Sequence, residues 1–328
     1  MSLHTVTSGD GSREFCFVHG FTQTGKSWVT AAQAIGGSTN AVVHLLAIAG
    51  RIGVKLELDD FDSLAREVPV LVNLMPSGKY LMEEFFDAGG LPAVMKEIEG
   101  MLHTEHITVS GKSVKENIAT AESWNADVIT PASKPFQKAG SGIVVLKGSL
   151  APDGCVLKVS AATPELLVHT GEALVFEQIE DYLIASEDMN LAVTKDTILV
   201  LKHAGPRGFP GFPEVGNMPI PRKLLEQGIT DMIRISDARM SGTAYGTVLL
   251  HTSPEAAVGG PLALVKSGDM IELNVPNRSI NLLVSEEEMV KRKAAWVAHE
   301  MLSAASCPAT ALIFPKAGSW SGFSGRPA

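Results

Sequence analysis

Residues 205–246 read GPRGFPGFPEVGNMPIPRKLLEQGITDMIRISDARMSGTAYG. One carboxylate, Glu214, stands in a loop otherwise rich in glycine and proline, and an apolar segment at 232–235 then leads into Ser-Asp-Ala-Arg-Met-Ser-Gly. Glycine lets backbone come close to a ligand, and proline fixes a loop without needing a hydrogen-bond donor. An acid in such a loop reads as a metal or substrate ligand ahead of a solvated surface charge. Ser241 falls where a strand gives way to a turn, a usual place for a reacting group. A serine with no histidine partner acts as a base only where something strongly electropositive lowers its pKa. Metals do this, and a glutamate in a tight loop can hold one. Glu214 and Ser241 therefore point to a metal-assisted reaction whose other ligands come from elsewhere. Arg239 and Arg207 read equally as carboxylate binders or structural ion-pair partners, and Asp237 as a cap on the serine loop.

Around this stretch lie short β-type runs at 143–147, 156–159, 173–176, 198–201, 232–235, 248–251 and 270–275, separated by turn signals such as PDG and SGD. Their spacing predicts a compact β-rich domain with a few helices. Upstream, polar sequence with two prolines at 119–142 reads as a connection between domains. Before it, residues 59–67, 80–88 and 91–101 read as helices, and 68–74 as a strand. Residues 15–18 read as a short buried strand. The segment GGSTNAVVHLLAIAG (36–50) predicts an apolar helix over 41–49, with Ser38, Thr39 or Asn40 at its start. Such a start presents free N–H groups that suit a substrate carboxylate, while a capped core helix is the plainer reading. His44 reads as a core histidine on the apolar face.

Composition narrows the function. A chain of 328 residues can hold two domains and bury a large core. A formal charge of −9 with no basic run argues against a nucleic-acid partner. No apolar run reaches the roughly 18 residues of a membrane span, and the start MSLHTVTSGDGSRE is too polar for a secretory signal. Cys16, Cys155 and Cys307 are scattered, odd in number and outside any metal-ligand spacing. A cytoplasmic protein is expected. Residues 20–27, GFTQTGKS, match a phosphate-loop pattern, but no partner strand ending in a magnesium-binding Asp follows. The surrounding FCFVHGFTQTGKSW looks like the early His-Gly loop of α/β-hydrolases, yet no G-x-S-x-G occurs in the chain. Each alternative, nucleotide-binding protein or hydrolase, lacks its catalytic half.

Matches spread from about residue 35 to 296 carry a wider resemblance: GGSTNAVVHLLAIAG (36–50), ITVSGKSVKENIA (107–119), LAPDGCVLKVSA (150–161), HAGPRGFPGFPE (203–214), ISDARMSGTAYGTVLLHTSPEAAVGGPLALV (235–265) and IELNVPNRSINLLVS (271–285). The chain resembles the dihydroxy-acid and 6-phosphogluconate dehydratase family, and within it the arabinonate and xylonate dehydratases. The resemblance implies an α/β (α+β) protein: a truncated helical α/β portion at 29–118, the linker at 119–142, and a barrel-like swivelling β/β/α domain at 143–297. Residues 1–28 and 298–328 fall outside it, as a hydrolase-like start and an atypical tail. A fused, truncated or frameshifted reading frame is the expected origin of both ends.

The activity implied is a hydro-lyase that turns a 2,3-dihydroxy carboxylate, such as an aldonic acid, into a 2-keto-3-deoxy acid. In such enzymes a [2Fe-2S] cluster and Mg²⁺ serve as cofactors. Carried over, Glu214 becomes a magnesium ligand, Ser241 the base and Thr243 its hydrogen-bonding neighbour, with Ser38, Thr39, Asn40 and Arg239 on the substrate. None of the three cysteines falls in a cluster-ligand motif, so this chain is expected to bind no cluster and to be inactive alone. A non-catalytic remnant, or a chain that pairs with a partner supplying the rest, is the competing expectation. The partners expected are a small-molecule sugar acid and further copies of the chain, through self-association of apolar surface the rest would cover.

Overall fold

The computed structural model describes residues 6–7, 13–14, 25–51, 54–209, 211–241 and 245–298. The readings at 15–18 and on most of 20–27 lie outside the described residues. Two short strands, β1 (Val6–Thr7) and β2 (Arg13–Glu14), pair antiparallel. A helical portion follows: α1 (Gly25–Ala34), α2 (Thr39–Arg51), α3 (Leu58–Glu67), α4 (Met82–Asp87), α5 (Gly90–Glu97) and α6 (Val114–Ile118).

The remainder is built on strands β3 (Ile143–Leu146), β4 (Gly154–Lys158), β5 (Val168–Phe176), β6 (Ile198–Leu201), β7 (Arg234–Ser236), β8 (Val248–Ser253), β9 (Met270–Asn274) and β10 (Ser279–Leu282). Helices α7 (Ile179–Ser186), α8 (Arg222–Leu225) and α9 (Pro261–Leu264) fill connections between strands, and α10 (Glu286–Ala295) follows β10. The sheet runs β10-β9-β5-β6-β7-β8-β4-β3, parallel from β5 to β8 and antiparallel elsewhere. Its two edges meet. The Lys147 N–H donates to the Arg278 carbonyl (3.0 Å) and the Ile280 N–H to the Lys147 carbonyl (3.1 Å), which nearly closes the sheet into a barrel.

The continuous apolar runs follow from burial on both faces. Along β3, Val144 and Leu146 point into the barrel while Ile143 and Val145 point toward α1, α2 and α3. In β4, Cys155 and Leu157 point inward and Val156 toward the same helices. Across the barrel, Ile198 and Val200 of β6 face in, and Leu199 and Leu201 pack with Tyr182 of α7 and Met232. Each side chain so covered contributes about 1.5–3 kcal/mol relative to exposure. The Gln33 amide ties the layers together. It donates to the Phe61 and Ile143 carbonyls (3.0 Å each) and accepts from the Ile143 N–H (2.7 Å).

The expected strand at 68–74 is corrected to isolated bridges, Val70 with Gln137 and Val72 with Ile129. The partner segment contains Pro131 and Pro135, which lack the N–H a continuous ladder needs.

Candidate functional site

Helix α2 is aimed at the site by the turn before it. Gly36 and Gly37 have φ of 92° and 70°, a region strained for any side chain. A Cβ on Gly37 would also lie 2.5 Å from Cγ1 of Ile143. The first turn of α2 therefore sits against the edge of β3 and faces the loops around Glu214 and Ser241.

Asn40 does not cap α2. Its side-chain amide donates to Oε1 of Glu214, 174 residues away in sequence. Its own Oδ1 is buried and accepts no hydrogen bond. Thr39 is buried, with a backbone hydrogen bond to His251, and Ser38 is half-buried. Glu214 is exposed, and Ser241 is half-buried. Thr243 lies outside the described residues.

A backbone hydrogen bond from the Gly216 N–H to the Arg239 carbonyl (2.7 Å) joins the two loops. Arg239 donates from Nε to the Phe212 carbonyl (2.7 Å), and its guanidinium lies over the Phe212 ring, 5.3 Å from the centroid. Its Nη1 lies 3.5 Å from Nε2 of His44. No carboxylate pairs with Arg239 among the described residues.

His44 corrects the sequence reading: it is exposed and stands between Arg239 and Glu214 rather than in the core. Burial of part of its ring and the Arg239 charge hold its pKa below the ordinary value, against the raising effect of Glu214. His251, which the sequence reading passed over, is buried beneath, edge-on to Phe212 at 5.8 Å. Burial and the Arg239 charge pull it down to about 3, so it is neutral at neutral pH. Only a link between residues far apart in sequence could have found His251, Phe212 or the Asn40 contact.

Asp237 caps, but not the serine loop. Its Oδ1 accepts from the Ala204 N–H and its Oδ2 from the Ala256 N–H, both at 2.9 Å. Glu255 lies alongside and accepts from the Arg207 (3.0 Å) and Gly208 (3.2 Å) N–H groups, holding the loop that leads to Glu214. Arg207 is otherwise exposed.

The Glu214 carboxylate and the unsatisfied Asn40 Oδ1 are hard oxygen donors of the kind that suits Mg²⁺. No group of three or more His, Cys, Asp or Glu side chains gathers for a metal among the described residues. The two oxygens thus make part of a coordination sphere. An iron–sulfur cluster fits less well. Such clusters are held by cysteine thiolates, whereas Cys155 is sealed inside the barrel and burial raises its thiol to about 12. Cys16 and Cys307 lie outside the described residues.

Two family profiles match the chain: the dihydroxy-acid/6-phosphogluconate dehydratase N-terminal region over residues 26–117 and the C-terminal region over 127–313. The chain belongs to this family. Similar relatives include an L-arabinonate dehydratase of Rhizobium leguminosarum bv. trifolii, 62% identical over 265 residues (80% of this chain, 46% of the relative). An L-arabonate dehydratase of Azospirillum brasilense is 53% identical over 267 residues (80% and 46%). A 6-deoxy-6-sulfo-D-gluconate dehydratase of Pseudomonas putida is 49% identical over 271 residues (82% and 47%). The chain spans about half the length of the curated relatives it matches. Among the described residues of this dehydratase-family chain, no helix is long and apolar enough to cross a membrane.

Proposed function

We propose that this chain supplies part of the active centre of a sugar-acid dehydratase, which removes water from a 2,3-dihydroxy carboxylate such as an aldonate to give a 2-keto-3-deoxy acid. The observation that carries this reading is the Asn40–Glu214 contact, with an unsatisfied amide oxygen beside it and, nearby, the Arg239 guanidinium, which has no carboxylate partner among the described residues. Glu214 and Asn40 Oδ1 would hold Mg²⁺. The bound cation supplies the electropositive field that makes an adjacent hydroxyl acidic.

Ser241 Oγ, as its alkoxide, would take the proton from C2 while the C3 hydroxyl leaves, so that water is lost and the resulting enol becomes the 2-keto acid. Arg239 is fixed by Phe212 and directs the unused part of its guanidinium toward the substrate carboxylate. Ser38 and Thr39 form the floor at the start of α2. His251, neutral and buried, supports Phe212 without adding charge.

The burial of Cys155 inside the barrel supports the further proposal that the chain alone assembles no [2Fe-2S] cluster and turns over no substrate. Exposed Met82, Phe86 and Trp124 support self-association. Anaerobic reconstitution with iron and sulfide, followed by metal analysis and a keto-acid assay on L-arabinonate, tests the chain. Little bound iron and no keto acid are expected. A stoichiometric cluster with keto-acid formation would overturn the proposal. In a full-length relative, alanine at the serine equivalent to Ser241 is expected to abolish turnover and leave the cluster spectrum intact. Loss of the spectrum would assign that serine a structural role.

A further inference from the structure

Residues 215–221, which follow Glu214, belong to no helix or strand. Their placement therefore depends on groups reached from other elements. The Gly216 N–H uses the Arg239 carbonyl, and the Tyr182 hydroxyl of α7 donates to the Pro219 carbonyl. Between these two ties stand Asn217 and Met218, and both are held by Arg234 of β7. Its Nη1 donates to Asn217 Oδ1 (3.2 Å) and to the Met218 carbonyl (3.1 Å).

Arg234 reaches that segment from inside the protein. Successive residues of a strand point to opposite faces. Ile235 faces the barrel interior, so Arg234 lies on the outer face, where Leu199 is its cross-strand partner. The rest of its guanidinium is engaged close by. Nη2 donates to Asp231 Oδ1 (2.9 Å) and the Tyr245 carbonyl (3.1 Å), and Nε to the Met232 carbonyl (3.3 Å). Asp231 is fixed in turn. It accepts from the Thr163 hydroxyl (2.6 Å), the Thr247 hydroxyl (2.8 Å) and N–H (3.0 Å), and the Met232 N–H (2.9 Å).

A Cβ on Gly246 would collide with both charged groups, so the chain closes tightly over the pair. The side chains of Arg234 and Asp231 are only 4% and 6% exposed. Taking both charges out of water is costly unless further hydrogen bonds occupy their remaining donors and acceptors. Here two of those bonds leave the pair's own segment for the chain behind Glu214. A planar guanidinium fork fixes direction as well as distance, which an ammonium does not.

We propose that Arg234, held by Asp231, is a positioning residue for the Glu214 loop. Its guanidinium sets where residues 217 and 218, and with them the Glu214 carboxylate, stand relative to the strand that leads to Ser241. The role of Glu214 as a metal ligand rests on the dehydratase reading, whereas the tie rests on the hydrogen bonds themselves.

Hydrogen–deuterium exchange read by mass spectrometry, with chelator present, tests the tie. Arg234→Lys keeps a charge beside Asp231 but loses the fork, and Asn217→Ala removes one arm at an exposed residue. Exchange across 211–220 is expected to rise several-fold in Arg234→Lys and by less in Asn217→Ala, with β3 and β6 exchanging as in the wild type. A pair that served only global stability would raise exchange throughout the barrel. Unchanged exchange at 211–220 in folded Arg234→Lys, or an equal rise in β3 and β6, would overturn the proposal. If Arg234→Lys does not fold, Asn217→Ala decides by the same two criteria. A Mn²⁺ titration without chelator reads the consequence at Glu214, where binding about tenfold weaker is expected in Arg234→Lys. Unchanged Mn²⁺ affinity beside faster exchange would overturn the positioning of Glu214. A wild-type chain that bound no Mn²⁺ would remove the metal reading, and the exchange comparison would still decide the tie.

Discussion

The Gly216 N–H donates to the Arg239 carbonyl at 2.7 Å, and this bond sets the spacing of the site. Glu214 lies two residues before the donor and Ser241 two residues after the acceptor. The approach is possible only without a side chain. A Cβ on Gly216 would lie 2.7 Å from the Arg239 oxygen and collide with Leu250 Cδ2. Gly216→Ala is therefore expected to destabilise the chain by about 1–3 kcal/mol through overpacking. Urea unfolding checks this, and an unchanged midpoint would show that the loops are not clamped here.

The buried carboxyl of Glu255 predicts a pH dependence. Burial, reinforced by the Asp237 charge, raises its pKa from the ordinary 4.5 to about 8. Between these values the folded chain binds more protons than the unfolded one, so stability falls as pH rises. His251 acts in the opposite sense. Its pKa drops from 6.5 to about 3, so the unfolded chain binds more protons in that window and stability falls as pH drops. The two slopes oppose each other where the windows overlap, between 4.5 and 6.5. From 6.5 to 8 the Glu255 slope is no longer opposed by that of His251. Glu255→Gln keeps an acceptor for the Arg207 and Gly208 N–H groups and is expected to flatten the loss of stability over this range. Urea midpoints at pH 6.5 and 8 would show it, and an equal drop in both proteins would contradict it.

Cys155 is expected to be inert in the folded chain. Its thiol faces the barrel interior, and burial holds it protonated far above neutral pH. Iodoacetamide labelling with peptide mapping should show reaction at Cys155 only after denaturant is added. Rapid labelling in native buffer would mean the barrel opens readily.

Much of the barrel was legible because its strands are covered on both faces. Runs such as Ile143–Leu146 and Ile198–Leu201 are apolar throughout and stand out from the turns around them. Strand β5 was read short, since its first half mixes exposed and half-buried residues. The loop carrying Glu214 was legible from its glycines and prolines. The Asn40–Glu214 contact was not, because nothing local shows that two segments 174 residues apart meet. His44 was misread for a related reason. Its position in α2 looks apolar from the flanking residues, yet that side of the helix opens onto Arg239.

The central claim is that Glu214 and Asn40 supply oxygens to a divalent cation. The most direct test is a Mn²⁺ titration followed by electron paramagnetic resonance, with L-arabinonate present, on the wild-type chain and on Glu214→Gln. The account predicts one bound Mn²⁺ in the wild type, lost in Glu214→Gln and weakened about tenfold in Asn40→Ala. Equal Mn²⁺ binding by the wild type and Glu214→Gln would contradict it.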